Sequence, residues 1–372
     1  MRSDGEFAAR EFILGYGAGK KAAGGGGNKS WQQIRRDIRL GKGPALYPVG
    51  TQIVLEHATL GDIIMDVVSH DTVKKAGDSD AHTMVILAHD CLINLQFDSA
   101  EAFYYAENGL EPGTYNFTIV SAISSWAAGT YEFTLTKEVA AGGQLCLSGV
   151  YSTAMTSLKV RSYSSRTSTT MLEEVAITEG SGGTSLGSIA ADLNHPHRIC
   201  YGSNNYKESA IRQMLNSEAA AGSVWTPQTK FDRPPSWLTT QAGFLNGCPA
   251  DFKAAIATAV VKCSANNTYE APDSTVTKNT AYELQDKVFL ASRNEVGFSA
   301  GDVEDGSAAF QYYVGASNDD RIKLLGTSAR YWWLRTPTSN SASGPRIVVP
   351  DGSLYSIGAY DACGLVPACI IA

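Results

Sequence analysis

The sequence predicts an α+β protein in which sheet outweighs helix, and three observations carry that expectation. Only 18% of the 372 residues are charged while 36 are glycine, a balance that suits strands, turns and loops better than long solvated helices. The heptapeptide Gly113-Thr114-Tyr115-Asn116-Phe117-Thr118-Ile119 recurs sixteen residues later as Gly129-Thr130-Tyr131-Glu132-Phe133-Thr134-Leu135. Its apolar side chains fall at every second position, the period of a strand that buries one face. The chain also closes on Gly364-Leu365-Val366-Pro367-Ala368-Cys369-Ile370-Ile371, a short continuous apolar run of the kind a buried strand carries. With 44% hydrophobic residues, a chain of this length buries a large core and has room for two or three domains.

Residues 1–46 are expected to form a helical and extended arm. Glu6 to Leu14 reads as a short amphipathic helix, Gly24 to Gly27 as a break, and Trp31 to Leu40 as a second helix with Trp31, Ile34 and Ile38 on one face. Both helices either pack back on the body or attach the chain to a larger assembly. The first 50 residues hold nine Lys/Arg against four Asp/Glu, a net +5, whereas the remainder nets −12 of a chain total of −7. A basic arm on an acidic body suits docking on an acidic protein surface, and equally a plain solvated tail. From Tyr47 the strand candidates are Gln52 to Leu55, Ile63 to Val68 and Thr83 to Ala88, the last continuously apolar and so central. His89 and Asp90 end that strand and are read as structural, because no nucleophile or metal partner stands near them in the sequence.

Residues 110–184 read as an inserted small β-sandwich: the two heptads, then Gln144 to Ser148, Leu158 to Tyr163 and Val175 to Thr178. Sugar binding, spacing and subunit contact are all open to such a module. His195-Pro196-His197 supplies two imidazoles where a metal needs three or four ligands, so no metal is expected. Tyr206 to Leu215 has a helical stripe, and Phe231 to Trp237 is a proline-stiffened aromatic loop suited to core packing.

The segment Tyr331-Trp332-Trp333-Leu334-Arg335-Thr336-Pro337, followed by Val349-Pro350-Asp351-Gly352 and the closing Gly-Leu-Val-Pro-Ala-Cys, resembles the variable C-terminus of phage proteins with a C-type lectin fold. These are the target proteins of diversity-generating retroelements, of the major tropism determinant type. Tyr201 to Asn216 and Asp286 to Val296 are similar to that family too, and the likeness spans roughly 48–105 and 195–372. It implies a C-type lectin-like fold over 47–109 and 185–372, interrupted by the sandwich, with a diversified face at 338–363. Carried over residue by residue, the varied positions are Asn340, Ser341, Ser343, Ile347, Val349, Tyr355, Ser356, Ile357, Tyr360, Asp361 and Cys363. Retroelement mutagenesis acts at adenines, so an Asn codon can become Ser, Ile, Tyr, Asp, Val, Gly or Cys, the mixture found here. Asp351-Gly352 is a turn signal between two strands, with Ile347 and Val349 on one face and Arg346 and Val348 on the other. Ile347 and Val349 suit a core as well as a contact surface.

Enzyme readings are weaker. Lectin-type folds host formylglycine-generating enzymes with paired cysteines, yet no basic residue follows Arg346 to stabilise a thiolate at Cys363 or Cys369. No phosphate loop or His-Glu-x-x-His is present. The calcium motif of animal lectins is also missing, since Glu111-Pro112 runs into Gly113 inside the insert. Seven scattered cysteines without a C-x-x-C pair, no long apolar run and no secretory leader point to synthesis in a reducing cytosol. The expectation is therefore a virion receptor-binding protein, not an enzyme, with neither cofactor nor metal. Its partners would be a bacterial cell-surface protein or glycan, a virion structural protein held by the arm, and two further copies in a homotrimer. Neither nucleic acid nor membrane insertion is expected. A capsid decoration or head-fibre protein, a glycan-active enzyme and a bacterial adhesin are the alternatives.

Overall fold

Strand makes up 37% and helix 14% of the protein, so the α+β class with dominant sheet holds. The computed structural model describes residues 29–189, 196–265, 280–298, 305–339 and 341–372. The Glu6–Leu14 helix, the Gly24–Gly27 break, His195 and Asn340 lie outside them.

Six strands form the main sheet: Gln52–His57, Gly61–His70, Met84–Ala88 and Pro367–Ile371 in order, with Ile256–Ala257 and Val288–Leu290 both on the far edge of Pro367–Ile371. The continuously apolar Met84–Ala88 is fully buried and sits mid-sheet, in register Ile86 with Cys369 and Val85 with Ile370. Early and late parts of the chain thereby close one core. The helix Trp31–Arg39 packs on it through Trp31, Ile34 and Ile38, with the Trp31 ring 4.7 Å from that of Phe252. Ser30 and Gln33 form a reciprocal capping box that satisfies two otherwise orphaned amides. Arg35 donates from Nε to the Ala372 carbonyl (2.8 Å) and from Nη1 to that of Ala254 (3.0 Å). This half of the expected arm is thus part of the body, because its apolar stripe has a core to bury against. No helix among the described residues is long and apolar enough to cross a membrane.

A second core belongs to two four-stranded sheets. One is ordered Met171–Ala176, Lys159–Tyr163, Gly143–Leu147, Tyr104–Ala106; the other Thr178–Glu179, Gly129–Leu135, Gly113–Ile119, Thr184–Ile189. The repeated heptads pair antiparallel, Tyr115 with Phe133 and Phe117 with Tyr131, and turn their aromatic sides inward against Phe103. Each repeat uses its tyrosine alike: Tyr115 donates to the Glu111 carbonyl (2.7 Å) and Tyr131 to the Ala127 carbonyl (2.9 Å). A buried ring with a hydroxyl at its wet end must find an acceptor, and the chain just upstream supplies it. The sandwich begins before residue 110 and ends beyond 184. Tyr104–Ala106 and Thr184–Ile189 belong to it but are too short or too exposed to show a period in the sequence.

A third sheet, ordered Leu354–Ser356, Pro345–Val348, Trp332–Pro337, Ala362–Gly364, Asn94–Gln96, carries the C-terminal segment.

Candidate ligand-binding face

The third sheet is anchored from below. Trp332 and Trp333 are wholly buried, and their indole N–H groups donate to the carbonyls of Arg321 (3.0 Å) and Leu95 (2.7 Å). Arg335, also buried, forks onto Glu295 with Nη1 to Oε2 at 2.6 Å and Nη2 to Oε1 at 2.7 Å. It donates further to the carbonyls of Lys262 and Leu290. Two charges leave water together and every polar atom of the fork finds a partner, which is the condition for a buried pair to be tolerated.

Above this base the register is Trp333–Ile347–Tyr355 across one row and Trp332–Val348–Leu354 across the next. Val349 accepts the Gly352 amide (2.8 Å), closing the Asp351-Gly352 turn; Gly352 has φ +78°, and a Cβ there would strike the Asn318 carbonyl. At Ile347 lies an open depression of about 480 Å³, lined by that residue and by Tyr331, Val349, Pro350, Asp351, Tyr355 and Ile357. Tyr355 and Tyr331 are its exposed aromatic walls, at 63% and 47%.

Of the expected contact residues, Val349, Tyr355 and Ile357 meet at this depression, and Ser356 stands beside them, opposite Arg346. Ser341, Tyr360 and Asp361 are partly exposed away from it. The structure turns three others inward. Ile347 has no exposed surface of its own and lines the depression from between its cross-strand partners Trp333 and Tyr355. Ser343 is enclosed by its bond to Ser341 and by the Ala359 amide that its carbonyl accepts. Cys363 is buried where Ala362–Gly364 pairs with Asn94–Gln96, and burial pushes its thiol up to about 12. Ser343 and Cys363 belong to the platform, and Ile347 lines the depression without exposed surface of its own. All seven cysteines are free thiols.

Tyr360 is set by residues the sequence reading passed over. Its ring stacks on Tyr201 at 5.3 Å, and its amide donates to the Tyr201 carbonyl (2.8 Å). Tyr201 in turn meets Tyr151 of the sandwich edge-on at 5.2 Å, and Tyr151 stacks on His197 at 4.5 Å. His197 thus serves as a ring in this row. Tyr331 was also missed as a wall, although it stands two residues from Trp333 and so on the same face of an extended chain. His89 is held by Asp66, Nδ1 to Oδ2 at 2.8 Å, and Asp90 accepts the Leu324 amide, so both brace the main sheet's end. Among the described residues no group of His, Cys, Asp and Glu is arranged to hold a metal ion.

The helix Pro196–Tyr201 that presents Tyr201 is pinned by Arg198, which donates to Glu101 (2.6 Å) and Glu208 (2.7 Å) with all but Glu208 fully buried. Asp98 and Asp232 lie in the same charged cluster. Burial first, then the like charges of Asp232, Glu101 and Glu208, hold the Asp98 carboxyl well above its usual range; burial raises Glu101 to about 7 in spite of Arg198. A folded-state value above the ordinary 3.8 gives stability that is present below that pH and is lost as pH rises through the raised value. Asp98→Asn, which fixes the neutral form, is therefore expected to raise Tm at pH 8 by roughly 2–4 °C and to leave it unchanged near pH 4. A thermal melt giving the same change at both pH values would remove the charge explanation.

A family model described as a domain of unknown function (DUF6273) matches residues 169–372. No curated protein and no solved structure matches the chain.

Proposed function

The chain belongs to the DUF6273 family, which fixes its kinship and leaves its activity open, and we propose that it is a phage virion receptor-binding protein. In this reading it displays a diversifiable surface on a C-type lectin-like scaffold. One observation carries the reading: a wholly buried framework of Trp332, Trp333 and Arg335 underlies an open depression with apolar walls, of which Tyr331 and Tyr355 are exposed and Val349 and Ile357 half-buried. Outward aromatic side chains on a rigid base are what a contact surface needs, since little side-chain entropy remains to be lost on binding. Most of the positions that the family resemblance marks as varied are partly or fully exposed here. The pairing of early and late strands in one sheet supports the lectin-like scaffold. The partner would be a bacterial cell-surface protein or glycan, and copies on a trimeric spike would gain avidity from weak single contacts.

Tyr331→Ser/Tyr355→Ser/Ile357→Ser is expected to weaken binding of the labelled protein to susceptible bacterial cells at least tenfold with the protein still folded, because Tyr331 and Tyr355 are exposed and Ile357 is only half-buried. Parent and variant binding alike would move recognition elsewhere on the chain. Failure of both to bind any cell panel would favour a capsid decoration role for the same fold.

A further inference from the structure

The sandwich and the body enclose a polar cleft of about 370 Å³, lined by a different set of residues from the C-terminal depression. One wall is the outer face of a sandwich sheet. Val160 and Ser162 are buried inward, so the intervening Lys159, Arg161 and Tyr163 face out, and Arg161 lies in register with Cys146 and Glu174. The other wall is the proline-stiffened loop after Phe231. Arg233 donates to Gln144 Oε1 (2.9 Å) and to the carbonyls of Ser165 and Ser168, with its guanidinium 3.7 Å from the Tyr163 ring centre. Gln144 answers with bonds to the carbonyls of Lys230 (2.9 Å) and Asp232 (3.0 Å). Both walls are thus locked, and the cleft between them is preformed. Ser99, Thr169, Ser236 and Thr239 place hydroxyls around it.

Its charge is the unusual feature in a chain of net −7. Arg161 spends only Nε on Glu174 (2.6 Å), and its two terminal amino groups make no hydrogen bond among the described residues. Glu174 is shared with Lys159 (2.8 Å), and both oxygens of Glu101, the acid at the cleft, are held by Arg198. Two guanidiniums and a ring of hydroxyls therefore face a space the size of one small ligand, at the lower end of the usual range for such sites.

We propose that this cleft binds a carboxylate-bearing monosaccharide, an acidic sugar. Its carboxylate takes the free end of Arg161 in a two-bond fork, and its hydroxyl groups meet Ser99, Ser236 and Thr239. The site stands apart from the C-terminal face and gives the sandwich a recognition role of its own.

The test is calorimetric titration of the intact protein with glucuronate, alongside glucose and inorganic phosphate. Glucuronate is expected to bind with a dissociation constant on the order of 1 mM, glucose and phosphate at least tenfold more weakly. Arg161→Ala, an exposed change, should weaken glucuronate at least tenfold, Thr169→Trp should block the cleft, and Tyr355→Ser should leave it unaltered. Absence of glucuronate binding, or binding unchanged in Arg161→Ala, overturns the site. Phosphate binding as tightly as glucuronate overturns the sugar assignment, and loss in Tyr355→Ser would place the ligand on the C-terminal face instead.

Discussion

Arg335→Met is expected to destabilise the body by about 3–5 kcal/mol, the range for breaking a buried ion pair by removing one partner. The side chain is 1% exposed and fills its position with bonds to Glu295, to the carbonyls of Lys262 and Leu290 and to Ser307 Oγ. Methionine keeps much of the volume and none of the donors. Among the described residues Glu295 would then keep its charge in the interior with only the Ser292 amide on Oε2, the buried Asp305 would lose its cation at 3.9 Å, and two carbonyls would lose their partner. Most of the penalty therefore comes from the groups left behind rather than from the pair itself. That distinction is testable, because Arg335→Met/Glu295→Met removes the nearer of the two orphaned carboxylates and should recover at least half of the loss. Urea denaturation followed by tryptophan fluorescence reads both changes, since Trp332 and Trp333 stand three and two residues before Arg335. A single-variant loss below about 1 kcal/mol, the range of an exposed pair, would mean that water reaches Glu295.

Such pairs explain where sequence reading stopped. Met84–Ala88 was legible as a central strand because a strand covered on both faces has no polar side to show, and the heptads were legible because each buries a single face. The face of Trp31–Arg39 followed from its 3.6-residue stripe in the same way. None of these needs a distant partner to be recognised. Arg335 with Glu295, Arg198 with Glu101 and Tyr360 with Tyr201 are joined only by the fold, and nothing local marks an arginine as buried. Cys363 entered the expected face through the family resemblance, and Ile347 stayed open between core and contact surface. Alternation tells which residues share a face, but Trp333 and the Asn94–Gln96 strand decide which face is covered.

Trp333→Ala should have a comparable effect, about 3–5 kcal/mol, and should also abolish ligand binding at the C-terminal face. The ring is wholly buried, packs at 5.5 Å from Phe97 and heads the row that continues through Ile347 to Tyr355. Truncation opens a cavity beside Ile347, its cross-strand partner, and leaves the Leu95 carbonyl without the indole N–H that reaches it at 2.7 Å. A strand that loses its support on one side no longer fixes the height of Tyr355, so the walls of the depression lose their spacing before the sheet unfolds. Trp333→Phe separates the two contributions. It keeps most of the apolar contact and gives up the hydrogen bond, so about 1–2 kcal/mol should be lost with binding largely retained. Denaturation curves and cell binding measured on the same two variants decide the matter. Binding that survives in Trp333→Ala at a temperature where the variant is folded would show that the face holds its shape without the tryptophan beneath it, and the rigid-platform account would fall.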